Sequence, residues 1–269
     1  MSKLFAAVVA VGSLTAAGGA FAQSCTSLPN TQVSPVTFEQ AITAFSGSGA
    51  ALVKDEFETT AQFEARRAAA GAGPTSMVVS LPIDPAYVTY NADAGAFEIK
   101  SFAVANIGND WFTTFYGSPY FGTIATASYD NLAIVLSNED TNHGSYEAKN
   151  GYGATWQVTN VNRHVDTIFE SKPPRYGVSL FGNESMAAPV WSLPVPVDQA
   201  REFKSKLRAA VVIVPKAPFY FENTQQSQAR ITVQNPRDIK QISRVIVADI
   251  QCVVFTDDAN NVLLSVTTN

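Results

Sequence analysis

The spacing of hydrophobic positions changes along the chain, from helical near the N-terminus to strand-like afterwards. Thr37-x-x-Gln40 and Thr59-x-x-Gln62 are capping boxes, in which the Thr hydroxyl and the Gln amide satisfy backbone N–H groups at a helix start. They predict helices over about residues 38–45 and 60–70. From residue 77 onwards, short apolar or alternating runs separated by Gly, Asn, Asp and Pro predict strands.

The C-terminal third combines one helix with several strands. Ala200, Phe203 and Leu207 share one helical face, which predicts a helix over 198–207. An apolar run over 244–255, turn-forming residues and a second run over 262–266 predict a C-terminal hairpin. The other predicted strands cover residues 77–81, 97–104, 123–137, 155–161, 178–181, 209–214, 219–222 and 230–234, with a β-bulge near Ser101. The expected fold class is α+β: a predominantly antiparallel β-sheet with two N-terminal helices and one helix near residues 198–207.

The first 22 residues have the pattern of a secretory signal peptide. Lys3 is their only charge, residues 4–11 form an apolar run, and Ala20-Phe21-Ala22 fits the small-x-small cleavage pattern. We therefore expect cleavage after Ala22 and a periplasmic or secreted protein. The mature chain, 23–269, is expected to be a single β-rich domain that would divide, if at all, near 171–196. No later run is long and apolar enough to predict a transmembrane helix.

The two cysteines, Cys25 and Cys252, lie close to opposite ends of the mature chain. In an oxidising compartment, an even number of cysteines predicts a disulfide. Closing so long a loop would stabilise the fold by at most about 5 kcal/mol through chain entropy. In a competing interpretation Cys25 is a lipid-attachment site, but the bulky polar Gln23 precedes it where a small residue is expected.

Charge argues against a nucleic-acid partner. The chain has 18 Lys and Arg against 23 Asp and Glu, a net charge of −5. A phosphate-binding domain is expected to be basic and to cluster its positive charges. Charged residues make up 15% of the chain, below the roughly 25% of ordinary soluble domains, which is compatible with β-rich extracytoplasmic proteins.

Catalytic and metal motifs fail on spacing. Neither His143 nor His164 has a second His or Cys at a ligand spacing, so no metal is expected. The chain contains no phosphate-binding loop, and the string 177–182 has one residue too many for a serine-hydrolase elbow. Residues 257–261 resemble a calcium loop in composition only, and a hairpin turn explains them better. We therefore predict no cofactor.

The most unusual segment is 111–121, in which six of eleven residues are aromatic. Trp111, Tyr116 and Tyr120 are the candidate ligand-binding residues, because these side chains combine a large contact area with a polar tip. In the alternative interpretation the phenylalanines of the segment belong to the core and only the tyrosines face outward.

The string Lys54–Arg66 contains F-E-T-x-x-x-F-x-x-R, from Phe57 to Arg66. It resembles a segment found in uncharacterised exported bacterial proteins. The resemblance implies export and carries no catalytic residue, because no activity is assigned to that group. From the residues themselves, we expect Phe57 and Phe63 to pack beside the capping box and Arg66 or Arg67 to pair with Glu64 or a strand carboxylate.

The sequence therefore supports two functional hypotheses from different classes of protein. The first is a non-catalytic envelope module that binds a cell-wall polymer or another envelope protein. The alternative is a hydrolase of a cell-wall or extracellular polymer that would use carboxylates such as Glu139, Asp140 or Asp166. A strongly raised carboxyl pKa in a cleft would favour the hydrolase.

Overall fold

The fold is β-rich and of the α+β class, as predicted. The computed structural model describes residues 25–49, 55–70, 76–100, 103–104, 133–170, 189, 191–226 and 231–267. Its helices are α1 (Phe38–Gly49), α2 (Thr60–Ala70) and α3 (Val197–Lys206). Its strands are β1 (Met77–Leu81), β2 (Val88–Asn91), β3 (Ala96–Ile99), β4 (Ala133–Lys149), β5 (Thr155–Glu170), β6 (Trp191–Pro194), β7 (Arg208–Gln226), β8 (Arg237–Thr256) and β9 (Val262–Thr267).

Both predicted capping boxes form at the helix starts. The Gln40 side chain accepts a hydrogen bond from the Thr37 N–H at 2.8 Å, and the Thr37 hydroxyl accepts one from the Gln40 N–H at 3.2 Å. Thr59 and Gln62 repeat the arrangement before α2, at 2.9 and 3.3 Å. Each box satisfies two backbone donors that have no partner inside the helix.

The large sheet has the strand order β1-β7-β8-β5-β4, and β9 also pairs with β8. The central strand β8 pairs with β7 along one edge in antiparallel fashion. Its other edge is shared: residues 237–248 pair with β5 in parallel, and residues 252–256 pair with β9 in antiparallel fashion. The sheet is therefore mixed rather than antiparallel throughout. A parallel pair needs a long crossover connection, and β6, α3 and β7 lie in sequence between β5 and β8.

A buried carboxylate lies where β8 changes its partner. β5 ends at Glu170, opposite Ala248, and β9 pairing begins at Cys252. The Ile250 N–H between these points donates to Glu170 Oε2 at 2.9 Å, and Glu170 is 6% exposed. A buried backbone N–H group without a hydrogen-bond acceptor would destabilise the fold. The Glu170 side chain supplies that acceptor between the end of the β5 pairing and the start of the β9 pairing.

The main core lies between one face of the large sheet, α1, α3 and a small antiparallel sheet with the order β2-β3-β6. Trp191 of β6 packs against Phe255 of β8, with ring centroids 5.4 Å apart. Phe45 of α1 packs against Phe219 at 6.2 Å. Phe219 has φ of 65°, unusual for a bulky residue, within a register irregularity of β7 between Pro215 and Tyr220. That irregularity turns the Phe219 ring into the core.

The N-terminal segment packs on the other face of β7 and β8. Cys25, Leu28 and Val33 join a second buried cluster with Val212 and Val254. The Cys25 and Cys252 sulfurs are 2.05 Å apart, at disulfide-bonding distance as predicted. This pairing uses Cys25 and therefore argues against the lipid-attachment interpretation.

Several predicted strand bounds are wrong. β7 is one strand where two were predicted, β4 and β5 extend to Lys149 and Glu170, and β8 begins at Arg237 rather than Arg244. The predicted strand 230–234 is wrong over its described part, because Thr232 and Asn235 close a turn through two backbone hydrogen bonds of 3.1 Å. The predicted signal peptide, the bulge at Ser101, the strand 178–181 and most of the strand 123–137 lie outside the described residues.

The segment that resembles exported bacterial proteins forms a local unit at α2. Arg66 donates from Nε and Nη2 to the Glu58 carboxylate at 2.9 and 2.6 Å, and its guanidinium lies 5.6 Å from the Phe63 ring centroid. The expected Arg66 partner was Glu64 or a strand carboxylate, so Glu58 corrects that prediction. Phe57 is 88% exposed and does not pack beside the capping box. Within the described part of the chain, no helix is long and apolar enough to cross a membrane.

Candidate functional site

Beyond the core, four neighbouring strands of the large sheet carry a polar, solvent-facing surface. Residues directly opposite one another on paired strands share a face of the sheet, so the register defines which side chains lie together. His164 of β5, for example, lies beside Glu139 of β4 and Ile242 of β8. We call this surface the platform; its polar members are Glu139, Thr141, Tyr146, Asn160, Asn162, His164, Thr224, Gln226, Asp238 and Lys240.

The platform is wide enough for a chain-like ligand. Strand spacing and rise per residue give it about 14 Å across the four strands and about 20 Å along them. Seven of its ten polar members are exposed, and Asn160, Asn162 and Asp238 are half-buried. These groups offer both donors and acceptors, which suits a ligand rich in hydroxyl or amide groups.

One aromatic side chain reaches across this surface. The Tyr146 hydroxyl on β4 donates to Asp238 Oδ2 on β8 at 3.3 Å, although β5 lies between those two strands. The side chain must therefore extend across β5, where it lies over Val158, its directly opposite neighbour. Val158 is fully buried, whereas Tyr146 remains 39% exposed. The Tyr146 side chain is thus partly open to solvent.

Asp238 holds that ring in place. Its Oδ1 accepts a hydrogen bond from Gln226 Nε2, and its Oδ2 accepts the tyrosine hydroxyl. Partial desolvation, together with the charge and hydrogen bond of Asp238, raises the pKa of Tyr146. The hydroxyl therefore stays protonated at neutral pH and remains a donor.

A charged cluster separates the platform from the core. Arg244 donates from Nε and Nη2 to the two oxygens of Asp166, each at 2.8 Å, and its Nη1 lies 2.7 Å from Glu39 Oε1. Its guanidinium also lies 5.6 Å from the Phe38 ring centroid. Hydrogen bonding to Asp166 raises the pKa of Arg244. Arg244 therefore connects β8 to β5 and to the start of α1, and its donors are used within the protein.

Glu222 on β7 places a further carboxylate beside this charged cluster. Glu222 lies directly opposite Arg244, and its Oε1 accepts a hydrogen bond from the Tyr220 hydroxyl at 2.6 Å. Burial, with the hydrogen bond to Glu222, raises the pKa of Tyr220. Glu222 is exposed at the edge of the platform.

Of the three carboxylates considered for hydrolysis, Asp140 lies on the opposite face of the sheet from Glu139 and Asp166. Asp140 lies opposite Arg163 on the other face of the sheet and forms ion pairs with Arg163, at 2.8 Å, and with Arg237. The hydrogen bond from Arg163 lowers the pKa of Asp140 to about 2, against its ordinary value of 3.8. Asp166 is held by Arg244, and Glu139 is exposed on the platform. The environment of Asp140 is therefore the opposite of one that raises a carboxyl pKa.

Metal ligands and the aromatic segment are the remaining site candidates from the sequence. Among the residues that the structure describes, no group of His, Cys, Asp and Glu could hold a metal ion. Asp257 instead accepts backbone hydrogen bonds from Ala259 and Asn261 at 2.9 and 2.8 Å, as in a hairpin turn. Trp111, Tyr116 and Tyr120 lie outside the described residues, so their role as ligand-binding residues stays a prediction.

The sequence analysis missed Tyr146, Gln226 and Asp238. The signal that could have found Tyr146 is Asn150-Gly151, a dipeptide typical of hairpin turns, which lies between β4 and β5. Comparisons with protein-family models, curated proteins and solved structures found no match to this chain.

Proposed function

We propose that this protein is an exported, non-catalytic module that binds a cell-wall polysaccharide on the platform. The observation that carries the proposal is the Tyr146 side chain, which crosses an open sheet surface, stays partly exposed and is held there by Asp238. A sugar ring has an apolar C–H face and a rim of hydroxyls. An exposed aromatic face can stack on the first, and neighbouring side chains can hydrogen-bond the second.

The side chains around Tyr146 match that rim. Asn160 and Asn162 lie on β5, in line with the ring, and Gln226 and Lys240 lie opposite each other on the two strands beyond. Several weak, aligned contacts on a surface about 20 Å long favour a polymer over a single sugar. Export is supported by the signal pattern and by the disulfide-distance pair of Cys25 and Cys252.

Hydrolysis is not proposed. Asp140 and Asp166 are both held in ion pairs. The ion pairs of Asp140 lower its pKa, which makes this carboxyl a poor proton donor near neutral pH.

Co-sedimentation with isolated cell-wall sacculi tests the proposal. The mature protein should pellet with the sacculi without releasing soluble fragments. Tyr146→Ala should weaken pelleting roughly tenfold. Removing an aromatic anchor from a binding site usually costs more than about 1 kcal/mol of binding free energy, which corresponds to roughly that loss of affinity. Tyr152→Ala is the matched control, because Tyr152 is 99% exposed in the turn between β4 and β5.

Three results would overturn the proposal: no pelleting, equal pelleting of the Tyr146→Ala variant, or release of fragments by the wild type. The same assay examines the aromatic segment. If Trp111→Ala and Tyr116→Ala weaken pelleting as much as Tyr146→Ala does, that segment contributes to the polysaccharide site.

A further inference from the structure

We infer that the platform selects a glycan that bears several free amino groups, an inference that rests on the proposed function. The observation behind it is the charge of the surface. Glu139, Asp238 and Glu222 bring three carboxylates to this face, against the single ammonium group of Lys240. Across the described residues, none of these three carboxylates forms a salt bridge.

The partners of these carboxylates are neutral or absent. Asp238 accepts from the amide of Gln226 and the hydroxyl of Tyr146, and Glu222 accepts from the hydroxyl of Tyr220. An ammonium group on a ligand can add a charge-assisted hydrogen bond to each of them. The amide N–H of an N-acetylated sugar can donate to a carboxylate but brings no positive charge, and an acidic sugar is repelled.

The one arginine of this region does not offset that preference. Arg244 already binds Asp166 and Glu39 with three of its nitrogens. Its guanidinium therefore has no free pair of N–H donors with which to bind a carboxylate or phosphate ligand. Charge complementarity on this face thus favours cationic ligands over anionic ones.

The spacing of the carboxylates favours a chain of amino sugars over one sugar. Asp238 lies opposite Asn160, and Glu139 lies opposite His164, four residues further along β5. The two carboxylates are therefore about 13 Å apart along the strands. Glu222 and Glu139 lie on the outer two of the four strands, about 14 Å apart. A single amino sugar reaches one carboxylate, whereas an oligomer lying along the Tyr146 ring reaches several at once.

Direct binding of soluble oligosaccharides tests this inference. Glucosamine oligomers would be compared with N-acetylglucosamine oligomers of the same length, at the same pH and ionic strength. The amino form should bind at least roughly tenfold more tightly at low salt, and the difference should narrow as salt screens the charges. Monomeric glucosamine should compete poorly.

Paired variants identify the source of the preference. Glu139→Gln with Glu222→Gln removes two carboxylates without touching the Tyr146 side chain or its hydrogen bond to Asp238, and it should abolish the preference for the amino oligomer. Glu147→Gln is the matched control: Glu147 is exposed and lies opposite Gln157, on the other face of the sheet. It should keep the full preference.

The outcomes separate this inference from the proposed function. Equal binding of both oligomers, or a preference that survives the double variant, overturns the amine selectivity and leaves a polysaccharide-binding platform. Tight binding by monomeric glucosamine overturns the requirement for a chain. Failure of every oligomer, together with failure to pellet with sacculi, overturns the proposed function itself.

Discussion

Two halves of the same sheet differ in how their side chains are covered. In the core half, residues 245–248 of β8 are fully buried, and the sequence there is almost continuously apolar. In the platform half, residues 237–242 of the same strand are exposed or half-buried, and polar residues alternate with Ile239 and Ile242. Strands covered on both faces have the first pattern, and strands open to water have the second.

The backbone pairing nevertheless continues through both halves. β5 pairs with β8 from Thr159 to Glu170 without a register shift, across the boundary marked by Arg244. Hydrogen bonding is therefore shared, whereas hydrophobic burial is concentrated in the core half. We expect substitutions in the core half to change stability and substitutions on the platform to change binding.

The largest effect should come from the link that fastens the N-terminal segment to the core half. Replacing both Cys25 and Cys252 with Ala should lower the free energy of unfolding by up to about 5 kcal/mol, because their separation of 227 residues makes a long loop. Denaturant unfolding measures the change. Thr141→Ala on the platform is the control, expected within about 0.5 kcal/mol of wild type. Equal midpoints for all three proteins would contradict the contrast between the halves.

A core aromatic should come next. Phe45 is fully buried and packs against Phe219, so Phe45→Ala should lower the free energy of unfolding by about 3–5 kcal/mol through lost burial and a cavity. Tyr152→Ala removes an aromatic side chain that is 99% exposed and should leave stability nearly unchanged. A cost below about 1 kcal/mol for Phe45→Ala would mean that α1 contributes little to the core.

This contrast also explains how much of the molecule could be predicted from its sequence. The apolar run in β8 identified a strand over 244–255 because burial shapes its composition. Residues 138–149 of β4 contain Glu, Asp, Asn, His and Gly, and they form a strand because β5 lies beside them. That pairing is non-local and leaves no hydrophobic period, so neither the platform half nor its parallel β5–β8 pair could be predicted. The disulfide could be predicted, because the chain has only two cysteines.

The boundary between the halves should show an intermediate effect. Arg244→Met removes the partner of Asp166, whose side chain is only 14% exposed, and should cost about 1–2 kcal/mol. Adding Asp166→Asn to this variant should recover part of the loss, because the uncompensated charge is removed. Lys206→Met is the control: its pair with Glu202 is exposed, so its loss should leave stability nearly unchanged. An Arg244→Met variant as stable as the control would show that the boundary cluster contributes little.

The smallest effect should come from an ion pair within the platform half, on the face away from the platform. The hydrogen bond from Arg163 lowers the pKa of Asp140 to about 2 in the folded protein, below its ordinary value of 3.8. A carboxyl whose pKa is lowered on folding stabilises the folded state above its unfolded pKa and loses that contribution as the pH falls through the folded pKa. Wild type should therefore exceed Asp140→Asn in stability above about pH 4, and the difference should fade towards about pH 2.

That difference should stay under about 1 kcal/mol, because the Asp140 side chain is 30% exposed and water screens the pair. Denaturant unfolding of both proteins across this pH range measures it, and added salt should reduce it further. A difference that is independent of pH would show that Asp140 acts through strand packing rather than charge. A difference as large as that for Phe45→Ala would mean that the platform half contributes to stability as strongly as the core half, which its exposure argues against.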